Sequence, residues 1–476
     1  MNIEIKNFGP IDYLKIDLDK DLHLIYGKNA VGKSYVVEGL YCLLKNIDKF
    51  DRSFPNNTDN TKIYNFVNNE LEEKLKTKRH IFTIVFMTHL KTSLVDFFQN
   101  SLQNTFSSLL NLSNRYNNES FELIITLSEL SICEKISISQ NKTNGIVDNI
   151  DVSFNNEKLN QYFSLEQFSN IPSSTQLSNE FLEKEGKNII TQFAFKSMET
   201  FREFTNKIRE IHFLPASRSG LYQGLNSLSP IIAELSQHRL FISNNYIKLP
   251  TLPEPVSDYF LDISTLNKGL INEEFSEIVS LLENTILKGK VVIDEKTRNI
   301  LYLPNELDIE LSLSEASSMV SELSPLVLYL KHIINHKKTG EPFLDSIMDN
   351  RGVTQGIGSV SNQYCYLFIE EPESHLHPEI QVKLMKVFAE LAKLNIKIFI
   401  TSHSNYMFNE LNNLILENKI DKERIAVYHL IHGENGTVQN SEMTVTEDGI
   451  YDENFQETSE KLYEERMRIL EEAANA

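Results

Sequence analysis

The chain has 476 residues, enough for two or three folding units, and its 41% hydrophobic content excludes an intrinsically disordered protein. Its net charge of −20, from 66 acidic against 46 basic residues, argues against a broad surface that coats nucleic acid, because non-specific affinity for DNA comes from neutralising phosphates. The three cysteines show neither a paired nor a zinc-type spacing, and Cys42 and Cys365 lie in apolar runs typical of a core. We find no signal-peptide pattern and no apolar run as long as a membrane span, so we expect a cytoplasmic protein.

The first elements are predicted to form an antiparallel pair of strands. Ile3 and Ile5 alternate with polar residues, and so do Leu14 and Ile16, which is the pattern of half-buried strands. The residues between them, Asn7-Phe8-Gly9-Pro10, favour a turn.

A phosphate-binding motif follows this pair. It fits G-x-x-x-x-G-K-[ST] and consists of Gly27, Lys28, Asn29, Ala30, Val31, Gly32, Lys33 and Ser34. Leu22–Tyr26 predicts a buried strand before the motif, and Tyr35–Leu44 predicts a helix after it. In this arrangement backbone N–H groups surround a nucleotide triphosphate, Lys33 reaches the β- and γ-phosphates, and Ser34 ligates Mg²⁺. The motif therefore predicts a site for ATP and Mg²⁺.

Residues 46–204 change in composition, with more asparagine, serine and lysine. Short strands are predicted at Phe121–Ile125, Lys135–Ser139 and Ile150–Phe154, and a helix at Ile189–Arg209. We interpret the region as an arm inserted into the nucleotide-binding unit.

A basic run inside this region, Lys74–His80, is a candidate nucleic-acid patch, although such runs are usually solvated faces.

A buried strand is predicted at Ile211–Ala216, followed by Arg218, a candidate contact to phosphate or to a partner. A mostly helical insert and a hairpin come next. Ser317 and Ser318 then precede a helix, where they form either an ordinary N-cap or an anion site. The glycine-bearing residues 335–363 predict a mobile loop.

The next strand, Tyr364–Ile369, ends in two adjacent carboxylates. Glu370 is the candidate Mg²⁺ ligand, and Glu371 is the candidate catalytic residue that orients or deprotonates the attacking water. Downstream of a phosphate loop, we favour this role over a pair of solvated acids at the end of a strand.

A further buried strand, Ile396–Ile400, leads into Thr401-Ser402-His403. Ligands of open α/β sheets bind at the carboxyl ends of the strands, so we predict that His403 hydrogen-bonds the γ-phosphate and senses its loss. His375 and His377 have no evident third metal ligand, which favours a contact loop over a metal site.

The order of these parts resembles the heads of ABC-type ATPases, the group that includes SMC, RecF and OLD (overcoming lysogenisation defect) proteins. Three runs are most similar to OLD-like ATPases: Glu370-Glu371-Pro372-Glu373-Ser374-His375-Leu376-His377-Pro378, Asn7-Phe8-Gly9-Pro10, and Phe213-Leu214-Pro215-Ala216-Ser217-Arg218. The resemblance implies an α/β P-loop ABC-type ATPase head, with a mixed sheet, flanking helices, an antiparallel N-terminal subdomain and a large inserted helical and mixed arm. The expected division is two head lobes (1–45 and 288–448), the arm (46–204), a head strand (205–222), a helical insert (223–287) and a charged C-terminal helix (449–476).

In such families two heads enclose two ATP molecules. The resemblance therefore implies a homodimer or higher oligomer, with Ser317 and Ser318 contacting the γ-phosphate bound to the other head and His403 acting as the switch. OLD enzymes carry a Toprim nuclease after the head, whereas only about 70 residues follow His403 here. We therefore expect a separate effector, a nuclease or toxin, as in the PARIS, Septu and retron antiphage systems.

Two alternatives to this defence ATPase stay open. A DNA-repair ATPase of RecF or SMC type would bind DNA directly. A nucleotide-gated scaffold would hydrolyse ATP slowly or not at all, and Met319 in place of the usual signature glycine leaves that option open.

Overall fold

The structure is a computed structural model and describes residues 1–52, 78–127, 132–141, 145–164, 192–193, 196, 205, 207–224, 252–266, 272–294, 299–334, 363–441, 443–446, 449–451 and 461–470. The strands are β1 (Asn2–Phe8), β2 (Ile11–Asp17), β3 (Leu22–Gly27), β4 (Glu122–Thr126), β5 (Cys133–Gln140), β6 (Val147–Phe154), β7 (Ile208–Leu214), β8 (Gly289–Ile293), β9 (Ile300–Pro304), β10 (Leu311–Ser312), β11 (Tyr364–Glu370), β12 (Ile396–Ser402), β13 (Ile425–Gly433), β14 (Gly436–Gln439), β15 (Thr444–Thr446) and β16 (Gly449–Tyr451). The main helices are α1 (Lys33–Arg52), α2 (Lys78–Leu90), α3 (Asp96–Phe106), α4 (Asn156–Phe163), α5 (Glu254–Ser264), α6 (Ser276–Leu281), α7 (Ser318–Leu328), α8 (Pro378–Ala392), α9 (Asn405–Leu416) and α10 (461–470).

Among the described residues, eleven strands form one mixed sheet in the order β6-β5-β4-β1-β2-β14-β13-β3-β12-β11-β7. One half, β13-β3-β12-β11-β7, is parallel, and the other half contains the antiparallel neighbours β6, β5, β4, β1 and β2. The predicted α/β P-loop head, with its mixed sheet and antiparallel N-terminal part, is confirmed. Two smaller sheets, β10-β9-β8 and β15-β16, lie beside it, and the first contains the predicted hairpin.

The strands predicted within residues 46–204 belong to this same sheet. β4 pairs antiparallel with β1, from Asn2 opposite Thr126 to Lys6 opposite Glu122, and β5 and β6 continue the sheet outward. The edge of β1 carries unpaired N–H and C=O groups that need partners, and β4 supplies them. β4, β5 and β6 therefore extend the head's own sheet.

Helices cover both faces of the parallel half. Along β11, Tyr366 and Phe368 enter the apolar cluster that includes side chains of α1, α2 and α3. Leu367 and Ile369 enter the opposite cluster, which includes side chains of α7, α8 and α9. Successive strand residues point to opposite faces, so a continuous apolar run is what a strand buried on both sides requires.

Some expectations differ from the structure or fall outside it. The helix expected over Ile189–Arg209 is wrong at its end, because β7 begins at Ile208 and pairs with β11 there. Residues 335–362 of the predicted loop and 74–77 of the basic run lie outside the described residues. α10 is exposed along its whole length. Among the described residues, every helix is too short or too polar to cross a bilayer.

Candidate nucleotide-binding site

The sheet brings the three predicted motifs to one edge. In the register of the parallel strands, Glu370 lies opposite Thr401, and Ser402 lies opposite Tyr26, the residue before the phosphate loop. Parallel strands that end in register place their following loops together. These loops line a cleft of about 950 Å³ with Asn29, Ala30, Gly32, Lys33, Ser34, Glu371 and His403.

The phosphate loop is held tightly by its surroundings. Gly27 has a φ of +150°, and a Cβ there would lie 2.4 Å from the carbonyl oxygen of Leu430 on β13. Gly32 has a φ of +87°, and a Cβ there would lie 2.5 Å from Cγ of Pro10 in the N-terminal turn. Both positions need glycine because the backbone is left-handed and the neighbours are close. The N-terminal pair of strands therefore shapes the loop directly.

Lys33 lies inside this loop. Its side chain is 6% exposed, and Nζ donates to the carbonyl oxygens of Gly27 and Lys28, both at 3.0 Å. Burial lowers the pKa of Lys33 to about 8, while Glu371 and Glu373 act to raise it. Gly27 and Lys28 therefore hold the ammonium group through their carbonyls without lining the cleft, and Val31 is buried and also lies outside the lining.

Glu370 is a buried carboxylate with spare ligand capacity. It accepts hydrogen bonds from the Ser34 hydroxyl and the Ala216 N–H, but its Oε1 has no partner among the described residues. Burial raises the pKa of Glu370. Burial, followed by the nearby Glu370, also raises the pKa of Glu38 to about 8. Two carboxylates, one of them with an unpartnered buried oxygen, beside a serine hydroxyl are a donor set that suits a hard divalent cation.

Glu371 and His403 face each other across the cleft. Oε1 of Glu371 lies 3.6 Å from Nε2 of His403, and Nδ1 of the same ring lies 3.4 Å from Nζ of Lys33. Burial, followed by Lys33, lowers the pKa of His403, so its ring is neutral near pH 7. Glu371 has a φ of +40°, and its N–H donates to the Thr401 carbonyl at 3.1 Å. A non-glycine residue in this conformation is often part of a functional site.

Glu373 is a site residue that the sequence analysis did not single out. Its Oε1 accepts the His403 N–H at 2.5 Å and the Ser402 hydroxyl at 2.9 Å. It therefore fixes the backbone that carries the histidine. The only sequence signal for it is its position as the third acid of Glu-Glu-Pro-Glu.

The segment before β4 supplies a wall of the cleft that no motif predicted. Asn111, Arg115 and Tyr116 line the cleft beside the phosphate loop. The segment is anchored because Gly9 donates to the Leu112 carbonyl at 2.7 Å, and Asn114 donates to the Asn435 carbonyl at 2.8 Å. Tyr116 is 60% exposed, an aromatic face available for a planar base.

Other predicted residues lie elsewhere. Ser317 and Ser318 are exposed and do not line the cleft of their own chain, and Ser317 accepts from the Val320 N–H as the N-cap of α7. Arg218 is not a phosphate contact in this chain, because it is buried and its guanidinium bonds to Glu322 and to main-chain carbonyls.

His375 and His377 belong to no cluster of three metal-ligating side chains among the described residues. His377 instead accepts from the Glu379 N–H at 3.3 Å at the start of α8.

The fold and the cleft together define a P-loop ATPase head. The chain belongs to the AAA ATPase domain family, whose profile matches residues 1–408. No curated protein matches the chain.

Three solved structures of SMC heads are similar in outline. A head bound to the C-terminal winged-helix domain of ScpA is 10% identical, with a TM-score of 0.37, covering 92% of this chain and 96% of that one. The head domain from Thermotoga maritima is 10% identical, with a TM-score of 0.35 and coverages of 92% and 97%. The head from Pyrococcus furiosus, bound to the C-terminal domain of ScpA, is 12% identical, with a TM-score of 0.34 and coverages of 99% and 98%.

Proposed function

We propose that the chain binds ATP with Mg²⁺ in this cleft and hydrolyses the bond between its β- and γ-phosphates, which releases ADP and inorganic phosphate. The observation that carries the proposal is the meeting of Lys33, Ser34, Glu370, Glu371 and His403 at one sheet edge from three separate parts of the sequence. Lys33 binds the β- and γ-phosphates, and Glu371 orients and deprotonates the attacking water. His403 contacts the γ-phosphate, and Glu373 holds the histidine in place.

Ser34 and Glu370 are the residues that hold Mg²⁺ in this proposal. The fit rests on the unpartnered Oε1 of Glu370 and on the hydroxyl of Ser34 beside it. When bound, the cation neutralises phosphate charge. The wall formed by Arg115 and Tyr116 receives the base of the nucleotide, with the Tyr116 ring stacked on it.

The hydrolytic proposal is tested by comparing Glu371→Gln with the wild type. We expect ATP turnover to fall by about 10²–10⁴-fold, because a general base contributes that much, while ATP still binds. Equal turnover rates would refute the role of Glu371.

Lys33→Ala should abolish ATP binding in a titration, and retained affinity would remove the assignment of the cleft.

We place the complete site at the interface of two heads. Ser317 and Ser318 are exposed and lie outside their own cleft, so the serines of a second copy are available for its γ-phosphate. ATP should therefore convert the Glu371→Gln variant, which binds ATP but hydrolyses it slowly, from a monomer to a dimer. Sedimentation velocity measures this change. Adding Ser318→Arg should block the dimer and leave ATP binding by the monomer intact, and a dimer that persists would contradict this arrangement.

At the cellular level the proposal is a defence ATPase whose nucleotide state controls a separate effector. It is supported by the similarity of the Glu370–Pro378 run to OLD-like ATPases. Tagged Glu371→Gln and Lys33→Ala proteins should retain different amounts of one nuclease or toxin in the native host, with partners identified by mass spectrometry. Retention of DNA alone, weakened by salt, would favour the DNA-repair alternative instead.

A further inference from the structure

A second cluster of chemically active side chains lies away from the nucleotide cleft. β7 and β11 place Glu210 directly opposite Cys365, and His212 follows two residues along β7 on the same face. Cys365 precedes Glu370 by five residues on β11, which separates the two positions by about 16 Å of strand. The cluster is therefore distinct from the residues assigned to ATP and Mg²⁺.

The three side chains present different donor atoms to one point. A carboxylate oxygen of Glu210, a ring nitrogen of His212 and the sulfur of Cys365 all lie within 4.8 Å of one another. Oε2 of Glu210 and Nε2 of His212 are 3.2 Å apart. Two ligands of a tetrahedral zinc ion, each with a bond of about 2.0–2.1 Å, have a separation of about 3.3 Å. The separation of the Glu210 oxygen and the His212 nitrogen therefore matches that of two zinc ligands.

The surroundings orient these donors. Nδ1 of His212 lies 3.0 Å from Oδ2 of Asp262 on α5, and the Tyr329 hydroxyl donates to the same oxygen at 3.0 Å. A metal-bound histidine almost always donates its other ring N–H to such an acceptor, which fixes the tautomer. Burial, followed by Glu210, raises the pKa of Cys365, and a hydrogen bond from the Arg209 guanidinium to the sulfur acts against this rise. The cluster thus has both a ligand set and a supporting outer shell.

We propose that Glu210, His212 and Cys365 form a Zn²⁺ site that joins the edge strand β7 to β11. Mixed nitrogen, sulfur and oxygen ligands suit zinc, and three protein ligands leave a fourth position for water. Through Asp262, the site also fastens α5 to the sheet. The metal-free form is a network in which His212 bridges the two carboxylates.

The test uses the full chain, treated with a chelator and then titrated with Zn²⁺ or Co²⁺ in excess Mg²⁺. We expect one Zn²⁺ per chain, a rise in unfolding temperature, and a thiolate-to-cobalt charge-transfer absorption. Cys365→Ser should lose all three, whereas Cys133→Ser, at another buried cysteine, should keep them. Absence of stoichiometric metal, or an unchanged cobalt spectrum in Cys365→Ser, would overturn the proposal.

A second pair of variants covers the case in which Cys365→Ser does not fold. Asp262→Asn removes the carboxylate that faces His212, and we expect zinc affinity to fall about 10–100-fold. Asp258→Asn lies one turn earlier on α5 and contacts Tyr41 and Lys45, so it should leave zinc affinity unchanged. Equal zinc affinities in these two variants would refute the site, and neither result bears on ATP hydrolysis.

Discussion

Replacing Glu322 by glutamine should strongly destabilise the protein, because it breaks a buried ion pair. Nε of Arg218 donates to the Glu322 carbonyl at 2.9 Å and lies 3.3 Å from the carboxylate Oε2. The carboxylate also accepts the N–H groups of Arg218 and Ser219 and the Ser219 hydroxyl. Arg218 in turn donates to the main-chain carbonyl of Glu370 at 3.0 Å. The pair therefore fastens α7 to the end of β11.

The magnitude follows from the burial of both partners. The side chains of Arg218 and Glu322 are 2% and 0% exposed, so Glu322→Gln leaves a guanidinium charge uncompensated in the interior. Breaking a buried pair on one side costs about 3–5 kcal/mol of the free energy of unfolding. The control is Glu390→Gln, which breaks an exposed pair with Lys393 at the C-terminal end of α8 and should cost about 0–1 kcal/mol.

The assay is urea unfolding followed by far-ultraviolet circular dichroism, because the chain contains no tryptophan. Glu322→Gln should unfold at a much lower urea concentration than Glu390→Gln. A double variant, Arg218→Met with Glu322→Leu, should recover part of the loss, since it removes both charges. If Glu322→Gln and Glu390→Gln unfold within about 1 kcal/mol of each other, the reasoning about the buried pair is wrong.

Three further outcomes are expected. Burial, followed by Lys397, lowers the pKa of His23 from 6.5 to about 3. The free energy of unfolding therefore keeps its full contribution from neutral His23 above pH 6.5, and it loses this contribution as the pH drops towards 3. In urea titrations, the free energy of unfolding of His23→Gln should fall by about 2 kcal/mol less between pH 7 and pH 5 than that of the wild type. An equal fall in both proteins would contradict this. Gly27→Ala should lower the free energy of unfolding by about 2–5 kcal/mol in urea titrations. Gly220→Ala should leave it unchanged, because a Cβ there enters open space. Equal free energies for the two variants would show that the phosphate loop tolerates a Cβ. Tyr116→Ala should weaken ATP binding about 2–10-fold in calorimetry, because the base loses its stacking partner. Tyr463→Ala, at an exposed tyrosine on α10, should bind ATP as the wild type does. Equal affinities of the two variants would exclude base stacking at Tyr116.

The sequence alone determined the parts of the site that depend on local order. The strand, glycine loop and helix around Lys33 are contiguous, and the ends of β11 and β12 are each a buried run followed by polar residues. Such patterns need no knowledge of distant residues, because backbone geometry and burial over about ten residues produce them. For this reason the sequence predicts the cleft residues Lys33, Ser34, Glu371 and His403, although it does not show that they converge.

Only the tertiary structure decided which distant residues meet. Four features join positions that are far apart in the chain. They are the pairing of β4 with β1, the wall at Tyr116, the Arg218–Glu322 pair and the meeting of His212 with Cys365. A local pattern shows that a strand has a buried face, but it does not show which edge will satisfy its backbone groups. The burial of Arg218 depends on α7, about 100 residues later, so the local sequence does not distinguish this ion-paired residue from a ligand contact.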